Sequence, residues 1–133
     1  MDLLNQLAKK INAMPELPTK ISKAAINTEY QFGIYTLPGS KVIEEDMAGN
    51  QEKSIPIEIA YRSNDYTKAT NMLTQVSDML NNLAQLDTDG SYTFNQLDIE
   101  PQPYATGLMI NDEGVFLLDF SVIITTKKER IYD

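Results

Sequence analysis

The sequence predicts an α+β fold, a mostly antiparallel β-sheet covered by one long helix and a shorter N-terminal helix, with projecting hairpin loops. Three observations carry this. Between Tyr66 and Leu83 the residues Tyr66, Ala69, Leu73, Val76, Leu80 and Leu83 recur at alternating spacings of three and four, with Met72 and Met79 widening the stripe. Elsewhere the apolar residues alternate with a period of two, as in Ile55, Ile57, Ile59 and Tyr61. Turn signals such as Pro38-Gly39 and Asp87-Thr88-Asp89-Gly90 separate these runs. At 133 residues the chain is expected to be one domain over residues 1–133, with one core.

The first element is a helix. Leu3, Leu4, Leu7, Ala8 and Ile11 form one face, Asp2 is the expected N-cap, Lys9-Lys10 sit near the C-terminal dipole, and Pro15 and Pro18 stop the helix. So short an amphipathic helix is marginal alone, so its stripe docks on the sheet or on a neighbouring subunit. After an irregular Thr19 to Glu29 linker, Tyr30, Phe32, Ile34 and Thr36 alternate as a strand. Pro38-Gly39 suits the centre of a type II turn, which predicts a hairpin whose second arm is Lys41 to Asp46. Met47 to Gln51 is the next loop, and a third strand follows from Glu52 to Arg62. Pro56 cannot donate to a ladder, so the strand is expected to begin there or to lie on an edge.

The long helix is capped by Asn64 or Asp65, and its opposite face carries Asn71, Thr74, Gln75, Asp78, Asn81 and Asn82. That face is polar but sparsely charged. Asp87 to Gly90 resembles the start of a calcium loop, yet Tyr92-Thr93-Phe94 reads as strand where further oxygen ligands are required, which favours a turn. Strands are expected over Ser91 to Ile99 and Leu108 to Ile110, with Pro101 and Pro103 confining the segment between them to loop. Asn111-Asp112-Glu113-Gly114 reads as a tight hairpin with Gly114 at the left-handed position. The last strand, Val115 to Thr125, is apolar on both faces near its start and is expected to be central.

Composition closes off much chemistry. There is no cysteine for thiolate metal sites and no histidine, the commonest general base and metal ligand. Glu44, Glu45 and Asp46 are adjacent carboxylates, but successive strand residues point to opposite faces, so only Glu44 and Asp46 could share one. No catalytic set, phosphate loop or nucleophile elbow emerges; the chain is expected to be no enzyme and to hold no cofactor or metal. Without an apolar run of about 20 residues, and with Lys9-Lys10 inside the first apolar pattern, a soluble, unexported protein is expected, with no membrane partner.

The net charge of -8 is unevenly spread. Between Lys68 and Lys127 stand Asp78, Asp87, Asp89, Asp98, Glu100, Asp112, Glu113 and Asp119, with no Lys or Arg. A phosphate-gripping surface needs bases, so specific nucleic-acid binding is not expected. The stretch is either a solubilising surface or a wall past which DNA slides. Lys127-Lys128-Glu129-Arg130 is the one dense basic patch and reads as a solvated strand exit.

Taken in order and spacing, Leu3-Leu4 to Ile11-Asn12-Ala13, the run Thr36 to Gly49, Ile55 to Ile59, Ser63 to Ala69 and Val115 to Thr125 resemble the small minor capsid or neck proteins of tailed bacteriophages, specifically those similar to tail terminators. The resemblance extends over nearly the whole chain. It implies a structural virion protein at the head-tail junction, present in host cytoplasm during assembly. Such a protein forms a ring, usually hexameric, on the head-proximal end of the tail tube, stops tail polymerisation and docks to the head connector. Its expected partners are thus further copies of itself, the tail tube protein and a head-completion or connector protein. The expected contact residues are Val42, Ile43, Glu44, Glu45, Asp46 and Met47 on the hairpin and Asn71, Gln75 and Asp78 on the helix; Asp112 and Glu113 are the expected channel-facing acids. A head-completion protein of the neck, or a monomeric binding module outside phages, would use the same residues differently.

Overall fold

The computed structural model describes residues 2–127 other than 16, 18, 28, 84, 100–102 and 111. Pro18, Glu100, Pro101, Asn111 and the Lys128 to Arg130 part of the basic patch lie outside the described residues. The elements run α1 (Leu3–Asn12), β1 (Phe32–Thr36), β2 (Lys41–Glu45), β3 (Asn50–Ser63), α2 (Tyr66–Asn81), β4 (Thr93–Ile99), β5 (Tyr104–Ile110) and β6 (Glu113–Lys127). Two helices lie against one antiparallel six-stranded sheet, in agreement with the α+β expectation.

The sheet is built around one long ribbon. All 14 residues of β3 pair with β6, from Asn50 opposite Lys127 to Ser63 opposite Gly114. Each strand of the ribbon is flanked by two short strands set end to end: β1 and β2 along β3, β4 and β5 along β6. As expected from its apolar faces, β6 is central.

This arrangement corrects two expectations. Pro38-Gly39 does not fold β1 back on β2; both strands pair with β3, and Pro38 to Ser40 is a break in one flanking strand, with Gly39 at φ +111°. The hairpin is instead β2–β3, closed by the Asp46 to Gly49 turn. Nor does Pro56 mark a strand start or an edge, since it lies inside β3, which is paired on both sides. The two departures have one cause. Leu37 N–H donates to Pro56 C=O at 2.9 Å, so the Pro56 backbone faces the β1–β2 side, and its missing N–H points at the interruption, where no ladder partner stands.

One face of the ribbon forms the core. Ile55, Ile57, Ile59 and Tyr61 from β3 stand with Phe116, Leu118, Phe120, Val122 and Ile124 from β6 and Phe32 and Ile34 from β1. Leu3, Leu7, Ala8 and Ile11 of α1 and Ala69, Met72, Leu73, Val76 and Leu80 of α2 complete the same cluster. The first helix therefore docks on its own sheet. Tyr66, expected on the buried stripe of α2, is exposed and sets its ring edge-on to Phe116, with centroids 5.6 Å apart. Asp65 caps α2 by accepting from Lys68 N–H at 3.0 Å. Substituting Asp65→Ala should lower stability by about 1 kcal/mol in denaturant unfolding.

Asp2 occupies the N-cap position of α1, but its side chain makes no cap. Its carboxylate instead accepts from Gln6 Nε2 at 2.7 Å, Tyr92 Oη at 3.0 Å and Asp89 N–H at 3.3 Å, tying the helix to the segment that enters β4. The Gln6 bond foremost holds this carboxyl below its ordinary range, while burial and then the bond to Asp2 push the Tyr92 phenol upward. Asp87 to Gly90 lies outside helix and strand and bends at Gly90; Asp89 Oδ1 accepts from Ser91 N–H at 2.9 Å and Ser91 Oγ at 2.5 Å. The left-handed residue of the β5–β6 turn is Asp112, at φ +62°, rather than Gly114.

The β1 edge is partly closed by the segment before it. Ser22 N–H donates to Phe32 C=O and Ile34 N–H donates to Ser22 C=O, both at 2.9 Å, after which the chain crosses Gly33. The outer edges of β2 and β5 pair with no strand among the described residues.

Candidate assembly surfaces

Every residue of β2 is exposed, including Val42 and Ile43 at 49% each, and Met47 projects fully from the adjoining turn. Two exposed branched aliphatics and a methionine on a free strand edge cost solubility unless something covers them. The strand is also irregular: Val42 stands opposite Lys53 and Glu44 opposite Glu52, which leaves Ile43 as a bulge residue. Glu44 thus faces a like charge across the ladder. Asp46 belongs to the turn, where its carboxylate accepts from Asn50 Nδ2 and Asn50 N–H at 2.9 Å and from Ala48 N–H at 3.0 Å. Those bonds, the Asn50 side chain first, hold its carboxyl below the ordinary range. Its work is to shape the hairpin that presents Met47.

A second apolar edge lies on the other side of the sheet. On β5, Leu108 and Met109 are 66% and 62% exposed. The strand loses register between Ala105 and Met109, with Gly107 at φ +83°, and Thr106 spans the irregularity by donating to Val115 C=O and accepting from Leu108 N–H, each at 3.0 Å. Nothing in the local pattern of β5 separates this exposed edge strand from a half-buried one. The edges of β2 and β5 are diagonal, because β2 flanks the Asn50 end of the ribbon and β5 the Ser63 end.

The residues expected to make contacts therefore do not converge. Asn71, Gln75 and Asp78 are exposed together on the outer face of α2. Asp112 lies at the turn beside Ser63 and Gly114, at the opposite end of the ribbon from the Asp46 to Gly49 turn, roughly 40 Å away at the rise of a strand. Glu113 is engaged: its Oε1 accepts from Arg62 Nε at 3.2 Å, and Arg62, only 8% exposed, also donates from Nη1 to Asn27 C=O at 2.8 Å. Asp112 is thus the acid of this turn left facing solvent.

The sheet face away from the helices carries a polar row that strand periodicity alone does not reveal. Tyr35 of β1 stands opposite Glu58 of β3, and Glu58 opposite Asp119 of β6. Tyr35 Oη donates to Glu58 Oε1 at 2.5 Å and Tyr104 Oη of β5 to Asp119 Oδ2 at 2.9 Å. Burial, then the neighbouring Asp119, pushes the Glu58 carboxyl up to about 7. The Tyr104 phenol rises to about 12 through its bond to Asp119, and burial followed by Glu58 raises Tyr35. A signal was available, since each of the two most apolar strands carries one acid at its middle, Ile57-Glu58-Ile59 and Leu118-Asp119-Phe120. Among the described residues no three acids converge as a metal site would require, and no helix is long and apolar enough to cross a membrane.

The molecule is thus a helix-backed antiparallel sheet with two apolar edges that no described strand covers. No curated protein matches the chain. The sequence does match the family described as bacteriophage tail terminator protein over residues 4–128, which takes in all eight elements but for Leu3 of α1, and the chain accordingly belongs to the bacteriophage tail terminator family.

Proposed function

We propose that this phage tail protein forms a closed ring, a hexamer, on the head-proximal end of the tail tube, where it stops polymerisation and presents a docking surface to the head-completion or connector protein. The observation that supports this reading best is the pair of diagonal apolar edges, Val42, Ile43 and Met47 on one side and Leu108 and Met109 on the other. Different surfaces on the two sides of one subunit suit a head-to-tail contact, and such contacts close into rings when the rotation allows it. The outer face of α2, with Asn71, Gln75 and Asp78, adds a polar rim to that contact. Asp112 faces the channel, and its charge keeps DNA from adhering as it passes. Glu44 and Glu45 meet the partner at the tube or connector.

Light scattering over a concentration series, followed by mixing with assembled tail tubes and negative-stain microscopy, tests the reading. Wild-type protein should form rings alone or on tube ends. Substituting Val42→Asp and Ile43→Asp together should leave the melting curve within about 1 kcal/mol of wild type, because both side chains are already exposed, while abolishing ring formation. A wild-type protein that stays monomeric and ignores tube ends, or a double variant that assembles normally, would defeat the proposal. Glu44→Ala with Glu45→Ala probes docking without disturbing the Asp46 turn, and unaltered tail length and head attachment in that variant would remove these two residues from the contact.

A further inference from the structure

The row Tyr35, Glu58, Asp119, Tyr104 crosses four strands on the face opposite the helices, and its hydrogen bonds do not balance if both acids are ionised. Each phenol donates to one carboxylate oxygen, Tyr35 to Glu58 Oε1 and Tyr104 to Asp119 Oδ2. Asp119 Oδ1 is buried and, among the described residues, receives no N–H or O–H. A buried carboxylate oxygen without a donor, directly across a ladder from a second carboxyl, is satisfied most simply by a proton on that second group. We propose that Glu58 and Asp119 share one proton, held on Glu58 Oε2 and directed at Asp119 Oδ1, completing a hydrogen-bonded chain from β1 to β5 that releases β5 from β6 when the proton is lost to solvent.

The surroundings favour this. Facing the pair are Tyr35 from β1 and Tyr104 from β5; Asp98 of β4, opposite Ser121, adds a further negative charge one row away. The nearest bases by register are two rows off, Lys41 opposite Ser54 and Arg62, which is bonded to Glu113. Among the described residues no cation is thus placed to hold both acids ionised. The Glu58 carboxyl at about 7, against an ordinary 4.5, agrees with a retained proton. The consequence reaches β5 through repulsion: once both acids are ionised they push apart, and Asp119 is the group by which Tyr104 holds the first residue of β5 to β6, on a strand that loses register after Ala105.

The sign follows from the protons. Below pH 4.5 folded and unfolded chains both hold the proton; between 4.5 and about 7 only the folded chain does; above that both have lost it. Stability contributed by the shared proton is therefore full below pH 4.5 and is lost as pH rises through about 7. The sequence has no histidine, and the α-amino group, which ordinarily titrates at about 7.7–8.0, is common to wild type and the Glu58→Gln variant, so its effect cancels in their comparison.

The test compares wild type with Glu58→Gln between pH 5.5 and 8.5. Glutamine can accept from Tyr35 and donate to Asp119 Oδ1 without titrating. Wild type should lose about 5 °C in melting midpoint across this range, and amide exchange over Tyr104 to Ile110 should quicken relative to Thr93 to Asp98. In Glu58→Gln both responses should be flat. Parallel pH profiles in the two proteins would overturn the proposal. Infrared or carboxyl-carbon NMR titration of wild type is independent of whether the variant folds: one protonated carboxyl persisting to near pH 7 supports the proposal, and its absence at pH 6 refutes it.

Discussion

Replacing Gly33 by Ala should lower the folding stability by about 3 kcal/mol or more, near the upper end of the cost of overpacking. The reason is steric. A Cβ at Gly33 would stand 2.0 Å from the carbonyl oxygen of Ala24, 3.2 Å from its carbonyl carbon and 3.4 Å from Ile26 Cγ2. The obstacle is backbone, which has no rotamer to swing away. Nor can the crossing segment shift freely, because Ser22 is bonded to Phe32 and Ile34, Ile21 N–H donates to Asn12 Oδ1 at 2.8 Å, and Arg62 holds the Asn27 carbonyl. Relief requires giving up several of these bonds together. Urea unfolding of Gly33→Ala beside Gly107→Ala separates packing from backbone effects. At Gly107, φ is +83° with nothing within 4 Å of an added Cβ, so only the left-handed penalty of roughly 1–2 kcal/mol applies. If Gly33→Ala proved the milder of the two, the crossing would not be as tight as described.

Reversing the charge at Glu113 should be comparably severe, whereas the adjacent reversal at Asp112 should be mild. Arg62 is almost fully buried, with Glu113 as the acid beside it. Lysine at 113 would leave the guanidinium its Asn27 carbonyl but set a second positive charge where its counter-charge had been. Breaking a fully buried pair costs about 3–5 kcal/mol; with Glu113 itself 26% exposed, the loss here should be about 2 kcal/mol or more. Asp112→Lys instead changes an exposed turn residue, and its main cost is a bulkier side chain at φ +62°, about 1 kcal/mol. Thermal melts of the two single variants, with Arg62→Glu/Glu113→Lys as a rescue, distinguish pairing from mere packing. Equal melting of Asp112→Lys and Glu113→Lys would show that the Arg62 contact contributes little. A DNA-passage experiment should for the same reason use Asp112→Lys alone.

Much of the fold was legible because helix and strand periodicities are local. The stripe from Ala69 to Leu80 and the alternation in β3 and β6 each mark the buried face by residue type, and the two-sided apolarity of β6 announced its central place. The partner of β1 was not legible. Pro38-Gly39 is as good a signal for a chain reversal as for a strand interruption, and the choice depends on β3, whose Pro56 needs a gap beside it. At the candidate surfaces, residue type suggested the β2 hairpin, but the exposure of Leu108 and Met109 depends on β5 ending as an edge.

The sequence by itself determined the element types, the buried stripe of each helix apart from Tyr66, the core face of β3 and β6 and the family, since all of these are written in spacing along the chain. Only the tertiary structure decided which strands share an edge, that Glu113 is spent on Arg62 while Asp112 stays open, and that two acids from distant strands meet at Glu58 and Asp119. Those outcomes depend on register between segments as much as 61 positions apart, as for Glu58 and Asp119. Register is set by the fit of whole apolar faces against each other, a property that no single segment contains.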